Sequence, residues 1–387
     1  MILGAGIYQV PLIKKANELG LETIVISKTG NYPGFSFAKK SYFIDTTEKE
    51  KILEIAKKEK IDGICTTGTD VAVPSIGYVC DNLRLPGISF EHSLVASNKK
   101  LMKECFVKSN INTSKFITVY NVKDLKVGFE KLNTKKAIVK VVDKSGSRGI
   151  ICVDGNTDFE NIFNNLIKLT NENYLIIEDY IDGIEIGIDA FVLNGSIYLL
   201  IPHDKLIYDF NGVGIPIGHM VPYECNDIVK NNIINEVNKI VSAYGIVNGA
   251  INIDAFVKDN NEIDIIEAGA RSGATGIPEI ISVSTEINYY ELIINAALGN
   301  IIDKREAKNI PCSSVLLFSI KDGLFNGFDF TNKDNIVIST DYEIGTPIKK
   351  IVDGTCRIGQ AIITASKKKE LIEETNNFIN NIKVKIT

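Results

Sequence analysis

The sequence predicts a protein of mixed α/β and α+β class that is divided into two or three domains. Its length of 387 residues exceeds what one ordinary core accommodates. Over roughly the first hundred residues, buried-type strands alternate with amphipathic helices, which indicates a parallel sheet covered on both faces. Further along the chain the predicted strands follow one another through short polar turns, which is typical of hairpins.

The composition is typical of a soluble globular protein, with 45% apolar and 24% charged residues. The net charge of −5 provides no basic field, so we expect no nucleic-acid partner. No apolar run approaches the roughly 20 residues that cross a bilayer, so we expect no membrane partner. The seven cysteines contain no CxxC pair, which argues against disulfides and zinc and favours a reducing cytoplasm. A homodimer is compatible with these features.

The first domain is predicted to be Rossmann-like and to cover residues 1–97. A glycine turn at Gly4 and Gly6 leads into a helical stripe over residues 12–19 and a buried strand over residues 22–26. The alternation continues with a helix over residues 48–60, a strand over 63–67, a helix after Asp70, a strand near 86–89 and a loop around His92.

Binding of NAD to this domain is disfavoured. Gln9 stands where the GxGxxG pattern has its third glycine, and Ser27 and Lys28 follow the second strand where a dinucleotide site has an acid. Only Ile2 and Leu3 precede the glycine turn, so the first strand is either very short or begins upstream of Met1.

The second domain is predicted to cover residues 98–302 and to contain a lid subdomain at residues 112–182. Asn98 is expected to cap its first helix. Strands over residues 137–142 and 150–153 flank the turn DKSGSRG, whose glycine amides, hydroxyls and cations suit a polyphosphate. The turn is not a Walker A loop because its glycines lead into a strand. A plain hairpin turn is the alternative.

A buried strand over residues 175–177 runs into a polar hinge. Its backbone can offer hydrogen bonds to a purine edge, while the carboxylate of Glu185 takes the ribose hydroxyls. Solvated acids on a turn are the alternative. The next strong signal is Asn194–Gly195, which predicts a tight hairpin.

Two strands of alternating polarity flank a turn at residues 259–261. If the turn is centred between Asn260 and Asn261, Asp254 lies opposite Glu267, roughly 5 Å apart at Cβ. Paired carboxylates repel one another unless a cation lies between them, and their hard oxygens suit Mg²⁺ that arrives with a phosphate substrate. Arg271 would face the same site. The alternative is a solvated polar face on an edge hairpin.

The segment PHDKLIYDFNGVGIPIGHMVPYE is predicted to be a glycine-rich loop that carries substrate specificity. His203, Lys205 and His219 could meet a carboxylate or an amine. Lys205 is the strongest candidate because it keeps its charge at neutral pH. An ordinary surface loop is the alternative.

The order of these pieces resembles the ATP-grasp superfamily, in particular its carbamoyl-phosphate-synthetase-like and biotin-carboxylase-like members. The resembling segments are NKKLMKE, IVKVVDKSGSRGI, LIIEDYIDGIEIGIDAFV, AINIDAF and IIEAGARSGATGIPE. The front of the chain looks like the domain that precedes ATP-grasp modules. The tail, residues 303–387, is similar to the C-terminal domain of biotin-carboxylase-like members.

The resemblance implies ATP and Mg²⁺ as cofactors, with Mn²⁺ as an alternative metal. It places Lys99 and Lys140 near the nucleotide phosphates, with the glycine-rich turn at residues 145–149 over them. It places the hinge at residues 178–181 beside the adenine and Glu185 on the ribose. These nucleotide-binding residues are Lys99, Lys140, Ser145, Gly146, Ser147, Arg148, Gly149, Glu178, Asp179, Tyr180, Ile181 and Glu185. The implied metal ligands are Asp254 and Glu267.

Two positions depart from the family pattern. Gly269 stands where many members have asparagine, and Asp254 stands where glutamate is common. In the proposed register Asn252 lies opposite Gly269, so we hypothesise that Asn252 partly replaces the missing metal ligand. The alternative is that Asn252 hydrogen-bonds in a polar layer and that water fills the coordination site.

The activity implied is an ATP-dependent ligation. A substrate carboxylate attacks the γ-phosphate, and an amine or similar nucleophile displaces phosphate from the acyl phosphate, with Arg271 and Lys205 as the catalytic residues. Such chemistry depends on alignment and charge neutralisation. Two alternatives remain open: activation of bicarbonate by a carboxylase or a carbamoyl-transferring enzyme, and a nucleotide-binding regulatory protein without turnover.

Overall fold

The computed structural model describes residues 1–144, 149–210, 213–331, 333–352 and 356–387, and at residues 209, 210, 213 and 214 it describes the backbone alone. The N-terminal region contains a three-stranded parallel sheet in the order β1-β2-β3. Its elements are β1 (Ile2–Leu3), α1 (Val10–Glu18), β2 (Ile24–Ser27), a 3₁₀ helix (Pro33–Phe37), β3 (Lys40–Phe43), α2 (Lys49–Glu59), α3 (Val73–Leu83) and α4 (Phe90–Val95).

Two predicted strands of this region are absent from the described chain. Of residues 63–67, only Cys65 forms a β-bridge, to Ile2. Residues 86–89 form no strand, because Ser89 instead caps α4 and accepts a hydrogen bond from the His92 backbone amide. His92 itself lies in α4, and the loop predicted near it follows Val95.

A small antiparallel sheet forms the lid. Asn98 caps α5 as predicted, with its side chain accepting from the Lys100 and Leu101 amides. The sheet has the order β4-β7-β5-β6, and its core packs against two helices. The elements are α5 (Lys99–Lys108), β4 (Phe116–Val119), α6 (Val122–Leu132), β5 (Lys136–Lys140), β6 (Ile150–Asp154), α7 (Phe159–Leu166), a 3₁₀ helix (Ile167–Leu169) and β7 (Leu175–Asp179).

An eight-stranded sheet is the centre of the molecule, in the order β12-β11-β8-β9-β10-β13-β17-β15. Its bounds are β8 (Ile184–Leu193), β9 (Ser196–Phe210), β10 (Val213–Val221), α8 (Asp227–Ala243), β11 (Gly249–Val257), β12 (Ile263–Gly269), α9 (Ile277–Thr285) and α10 (Tyr289–Leu298). One face packs on α5 and α8, and the other packs on α9, α10 and the N-terminal region.

The predicted hairpin at Asn194–Gly195 is confirmed by the pairing of β8 with β9. The prediction of a loop over residues 202–224 is wrong, since β9 and β10 form an antiparallel hairpin within the sheet, while the specificity role of this segment stays a prediction. The extended backbone continues because alternate residues of this segment, such as Ile215 and Ile217, are apolar and pack in a buried cluster.

Three C-terminal strands extend the central sheet, so it continues past residue 302. The elements of this region are β13 (Cys312–Leu317), β14 (Gly323–Asp329), β15 (Ile336–Thr340), β16 (Pro347–Ile348), β17 (Gly359–Thr364), α11 (Lys368–Asn381) and β18 (Lys383–Ile386). Strands β16, β14 and β18 form a separate small sheet. No helix among the described residues is long and apolar enough to cross a membrane.

The register of the β11–β12 hairpin is confirmed, although the turn differs from the one assumed. Asp254 pairs with Glu267 and Asn252 with Gly269, as predicted. Closer to the turn, Val257 pairs with Ile263, which centres the turn on Asn260, and a bulge follows at Ile266. The extra residue in the bulge restores the predicted pairing at the polar positions.

Candidate active site

Polar side chains form two rows across one face of the central sheet. The rows are Glu267–Asp254–Gly187 and Gly269–Asn252–Asp189. The residues between them, such as Ile188 and Ile253, point to the opposite face and are fully buried. The period of two along each strand thus separates the core from a polar face.

Lys205 neutralises two acids of this face. Its side chain is only 8% exposed, and its Nζ lies 2.6 Å from Asp254 Oδ1 and 2.7 Å from Glu185 Oε1. Burial alone would lower the pKa of Lys205, but the two carboxylates raise that pKa above its ordinary value. Burial alone would raise the pKa of Asp254, but Lys205 holds it below its ordinary value. Lys205 is therefore a charged partner of the predicted metal ligand.

Lys99 makes the corresponding contact with the other predicted metal ligand. Its Nζ lies 3.1 Å from Glu267 Oε2 and donates a hydrogen bond to the Lys144 carbonyl at 2.7 Å. Since Lys144 lies at the described start of the glycine-rich turn, Lys99 connects that start to the sheet.

The structure describes the glycine-rich turn only at its ends. Ser145, Gly146, Ser147 and Arg148 lie outside the described residues, so their contacts with phosphate stay predictions. Gly149 has a φ of +71°, and a Cβ there would lie 2.6 Å from Val141 Cγ2. A glycine is therefore required where the turn enters β6.

Glu178 is the centre of a buried cluster of cations in the lid. Its Oε2 accepts from Ser114 Oγ at 2.9 Å and Lys140 Nζ at 3.1 Å, and it lies 3.0 Å from Lys103 Nζ. Burial alone would raise the pKa of Glu178, but the two lysines lower it to about 2. Its other oxygen, Oε1, is buried without a hydrogen-bond partner among the described residues, and it could therefore accept from a ligand.

Lys103 did not stand out in the sequence. It is 1% exposed, and burial, opposed by Glu178, lowers its pKa to about 8. Its Nζ also donates to Thr113 Oγ1 at 2.6 Å and Ser114 Oγ at 2.8 Å. The sequence feature that could have identified Lys103 is its helical spacing, because it lies on the buried face of α5 together with Met102 and Phe106.

The predicted adenine hinge lies between the lid sheet and β8. The amides of Asp179 and Tyr180 donate to the carbonyls of Lys115 and Lys136 at 3.0 and 3.3 Å, which fixes the end of β7. Burial raises the pKa of Asp179 above its ordinary value. Ile181 follows between this fixed end and β8.

Arg271 is held by two side chains from different regions. Its Nη2 donates to Asp70 Oδ2 at 2.7 Å, and its Nη1 donates to Asn252 Oδ1 at 2.6 Å and to the Ser272 carbonyl at 3.1 Å. Arg271 Nε and Asp70 Oδ1 are buried and have no hydrogen-bond partner in the described part of the chain. Each can therefore contact a ligand.

Asp70 is a site residue that the sequence prediction missed. The sequence feature that could have identified Asp70 is its position in GICTTGTD, three residues after the strand predicted over residues 63–67. Ligands of α/β proteins bind beyond the carboxyl ends of such strands. A Cβ at Gly269 would lie 2.6 Å from Asp70 Oδ1. Asp70 thus occupies space that a side chain at position 269 would need.

Both ends of the Asn252 amide have protein partners. Its oxygen accepts from Arg271, and its nitrogen donates to Asp189 Oδ2 at 2.8 Å. A metal bound to Asn252 would share that oxygen with Arg271. The metal-ligand role of Asn252 stays a prediction.

His203 and His219 lie inside the sheet. His203 is 0% and His219 5% exposed, and their Nδ1 atoms lie 3.1 Å apart. Burial, together with His203 and Lys205, holds the pKa of His219 well below its ordinary value. These side chains therefore form a buried pair where the sequence predicted a loop that carries substrate specificity.

A second buried arginine lies beside the segment that follows Arg271. Arg357 donates to Asp341 with two nitrogens, at 2.6 and 2.9 Å, and with a third to Gln360 Oε1 at 3.2 Å. Its guanidinium lies 5.1 Å from the centre of the Tyr8 ring, and Gln360 donates to Glu279 at 3.3 Å. The N-terminal glycine turn, α9 and the C-terminal region therefore meet here.

The donor set fits magnesium that is bound together with a polyphosphate. In the described ranges, no group of three or more His, Cys, Asp and Glu side chains could hold a metal ion. Asp254 and Glu267 are two hard oxygen donors on adjacent strands, and their side chains are 38% and 25% exposed. Mg²⁺ needs few protein carboxylates when phosphates and waters complete its octahedron.

Residues 134–279 match the sequence profile of the ATP-grasp domain. The chain is 24% identical over 315 residues to the formate-dependent phosphoribosylglycinamide formyltransferase of Methanocaldococcus jannaschii, covering 77% of this chain and 76% of that one. It is 25% identical over 285 residues to the carbamoyl phosphate synthase large chain of Clostridium beijerinckii, covering 71% of this chain. The chain spans only 26% of the length of that synthase.

Solved structures share the whole fold. Phosphoribosylglycinamide synthetase from Anaerococcus prevotii is 29% identical, with a TM-score of 0.82, and the match covers 100% of this chain and 98% of that one. The biotin carboxylase domain dimer of the 2-oxoglutarate carboxylase from Hydrogenobacter thermophilus, solved with MgADP, ADP and bicarbonate, is 15% identical with a TM-score of 0.81 over 100% of this chain and 90% of that one. Residues 134–279 therefore contain an ATP-grasp domain, within a chain whose whole fold is shared with these solved structures.

Proposed function

We propose that this protein is an ATP-dependent ligase that activates a substrate carboxylate as an acyl phosphate and couples it to an amine or similar nucleophile. The observation that carries the proposal is the set of Lys99, Lys205 and Arg271 around Asp254 and Glu267 on one face of the central sheet. Fixed cations beside paired carboxylates suit phosphoryl transfer, which depends on positioning and charge neutralisation.

The nucleotide would bind between the lid and the central sheet. Lys99 and Lys140 would contact its phosphates, and Glu185 its ribose. Glu178 Oε1, which is buried and unpaired within the described chain, would accept a hydrogen bond from the amino group of adenine. Bound at Asp254 and Glu267, Mg²⁺ would neutralise the charge of the phosphates, and Mn²⁺ would suit the same oxygen ligands.

The two substrates would meet next to Arg271. An oxygen of the substrate carboxylate attacks the γ-phosphorus, ADP leaves, and Arg271 Nε, which is free in the described chain, donates to the acyl phosphate. The nucleophile then attacks the carbonyl carbon, and phosphate leaves with the transferred oxygen. Asp70 Oδ1 would accept a hydrogen bond from the incoming amine.

The test is ADP release from ATP and Mg²⁺ across a matrix of carboxylates and amines, with bicarbonate as a separate arm. We expect ADP to form only when one carboxylate and one amine are both present. ADP release that depends on bicarbonate and needs no amine would overturn the ligase in favour of a carboxylase, in line with the similarity to carbamoyl phosphate synthase. Tight ATP binding without ADP release in any arm would support a regulatory protein.

A further inference from the structure

Asp189 is a buried carboxylate on β8 that none of the roles above uses. It is 0% exposed and lies directly opposite Asn252 in the sheet. Its Oδ2 accepts from Asn252 Nδ2 at 2.8 Å and lies 3.3 Å from His203 Nε2, while its Oδ1 accepts from the Gly273 amide at 3.0 Å. A carboxylate in the interior needs such donors, because an unpaired buried charge is strongly unfavourable.

Two of these contacts converge on Arg271. Asn252, held by Asp189, accepts from Arg271 Nη1 at 2.6 Å. Gly273, whose amide Asp189 holds, lies two residues after Arg271. A Cβ at Gly273 would lie 3.0 Å from Asn252 Nδ2 and 3.2 Å from Asp189 Oδ2, so the close approach requires glycine. Asp189 therefore holds Asn252, which binds the head group of Arg271, and it also holds the backbone two residues after Arg271.

The chemistry of the partners sets the direction of every hydrogen bond. An ionised carboxylate only accepts and a guanidinium only donates, so the Asn252 amide has one orientation that satisfies both neighbours. The contact with Asp189 requires an Nε2–H on His203, and in a neutral ring this makes Nδ1 an acceptor. For a neutral His203, the His219 Nδ1 that lies 3.1 Å away then carries the proton.

We propose that Asp189 is the positioning residue for Arg271, and that His203 and His219 hold Asp189 in turn. The role in turnover rests on the proposed function, whereas the hydrogen-bond directions do not. Gly187 belongs to the same arrangement, because a Cβ at this position would lie 1.9 Å from His203 Cε1. The His203 ring fills the space beside Gly187 and reaches Asp189 across the strand pair.

The kinetic test uses Asp189→Asn. In either orientation the NH₂ of the new amide faces a donor, either Asn252 or the Gly273 amide, so one of the two supports of Arg271 is lost. We expect kcat to fall about ten- to a hundredfold, with the KM for ATP changed less than about threefold, because Arg271 acts on the transferring group. A folded Asp189→Asn variant with the kcat of the wild type would overturn the proposal.

The histidine variants keep the test decisive if Asp189→Asn does not fold. His203→Gln can place an amide N–H near the position of Nε2 and should retain most of kcat, whereas His203→Leu should lose several-fold at unchanged KM. His92→Gln, in a helix outside the network, is the matched control and should behave as the wild type. Equal kcat for His203→Gln and His203→Leu would refute the role of the histidine pair.

A spectroscopic measurement separates this inference from the proposed function. The chain has three histidines, so their ¹⁵N shifts can be assigned with single His→Gln variants. We expect the Nε2–H tautomer for His203 and the Nδ1–H tautomer for His219 in the protein without substrates. The opposite tautomers would overturn the network even if the ligase activity is found, and the expected tautomers would uphold it if no substrate pair releases ADP.

Discussion

Arg271 Nη2 donates a hydrogen bond to Asp70 Oδ2 at 2.7 Å, although the two residues are 201 positions apart in the chain. The contact brings an acid of the N-terminal region to the arginine that we assign to the acyl phosphate. It also explains the glycine at position 269, since a Cβ there would lie 2.6 Å from Asp70 Oδ1. Asp70 thus takes space beside the sheet that the family asparagine would fill.

Restoring the family asparagine should therefore impair this protein. Gly269→Asn pushes Asp70 away from Arg271, and we expect kcat to fall at least about tenfold from the loss of a charged hydrogen bond. Asp70→Ala should also be impaired. The double variant should lose less than the sum of the two single effects, because both act through the same contact. Additive losses in this double-mutant cycle would show that position 269 and Asp70 act independently.

Lys140→Ala should weaken ATP binding while the fold persists. Glu178 keeps Lys103 and Ser114 as partners when Lys140 is removed. Loss of a charge-assisted contact costs about 1.5–3 kcal/mol, or roughly ten- to a hundredfold in affinity. Calorimetric titration with ATP measures the change, and Lys126→Ala, an exposed lysine on α6 of the same lid, is the control. Unchanged affinity would remove Lys140 from the nucleotide site, and NAD should not bind detectably to either variant.

Arg271→Ala should lower kcat far more than it raises the KM for ATP, because we propose that the guanidinium acts on the transferring phosphoryl group. Steady-state ADP release at varied ATP gives both constants. Arg305→Ala removes an exposed arginine and should leave them unchanged. If Arg271→Ala changes kcat and KM to the same extent, its role is in binding the nucleotide.

The magnesium dependence should separate Asp254 from Asn252. Asp254→Asn removes a carboxylate of the proposed magnesium site and should abolish ADP formation. Asn252→Ala should lower kcat, since it releases Arg271, but should reach half its maximal rate at the same magnesium concentration as the wild type. A rise in that concentration would instead assign Asn252 as the metal ligand that the sequence predicts.

Glu178 should make stability depend on pH on the acid side. Its folded pKa of about 2 lies below the ordinary value of 4.5, so its ionised form stabilises the fold above pH 4.5, and this stabilisation is lost as pH falls towards 2. Urea unfolding at several pH values should show that the stability difference between wild type and Glu178→Gln shrinks below pH 4.5. Glu130→Gln, at an exposed site on α6, should show a constant difference. A constant difference for Glu178→Gln would contradict the pairing.

The sequence was sufficient to predict the parts of the site that local patterns determine. Alternating polarity and a turn place Asp254 opposite Glu267 and Asn252 opposite Gly269, and an Asn-Gly pair marks the β8–β9 hairpin. The predicted pairing of Asp254 with Glu267 is correct because two differences from the assumed hairpin offset one another. The turn is centred on Asn260, and a bulge lies at Ile266. Neither a bulge nor its compensation has a clear sequence signature when the extra residue is another apolar one.

The remaining contacts depend on tertiary structure that no local pattern specifies. Asp70 reaches Arg271 across 201 positions, and Lys103 of α5 contacts the lid only because Ser114 and Glu178 meet α5. The β9–β10 segment was predicted as a loop from its glycines, since the sheet that supports those strands was not visible in the sequence. The domain limits at 97 and 302 stay predictions.

The chain that leads into the lid also protects the edge of the central sheet. Strand β12 is an edge strand of this sheet, so one row of its backbone groups has no neighbouring strand. Residues 112 and 113, where the chain enters the lid, cover part of this row. The Ile265 amide donates to the Asn112 carbonyl at 2.8 Å, and Thr113 Oγ1 donates to the Ile265 carbonyl at 2.6 Å. Unprotected strand edges recruit other chains and aggregate. A deletion of the lid that begins at residue 112 would therefore expose the edge of β12 and favour aggregation. A deletion that begins after Lys115 would retain the two contacts that cover this edge.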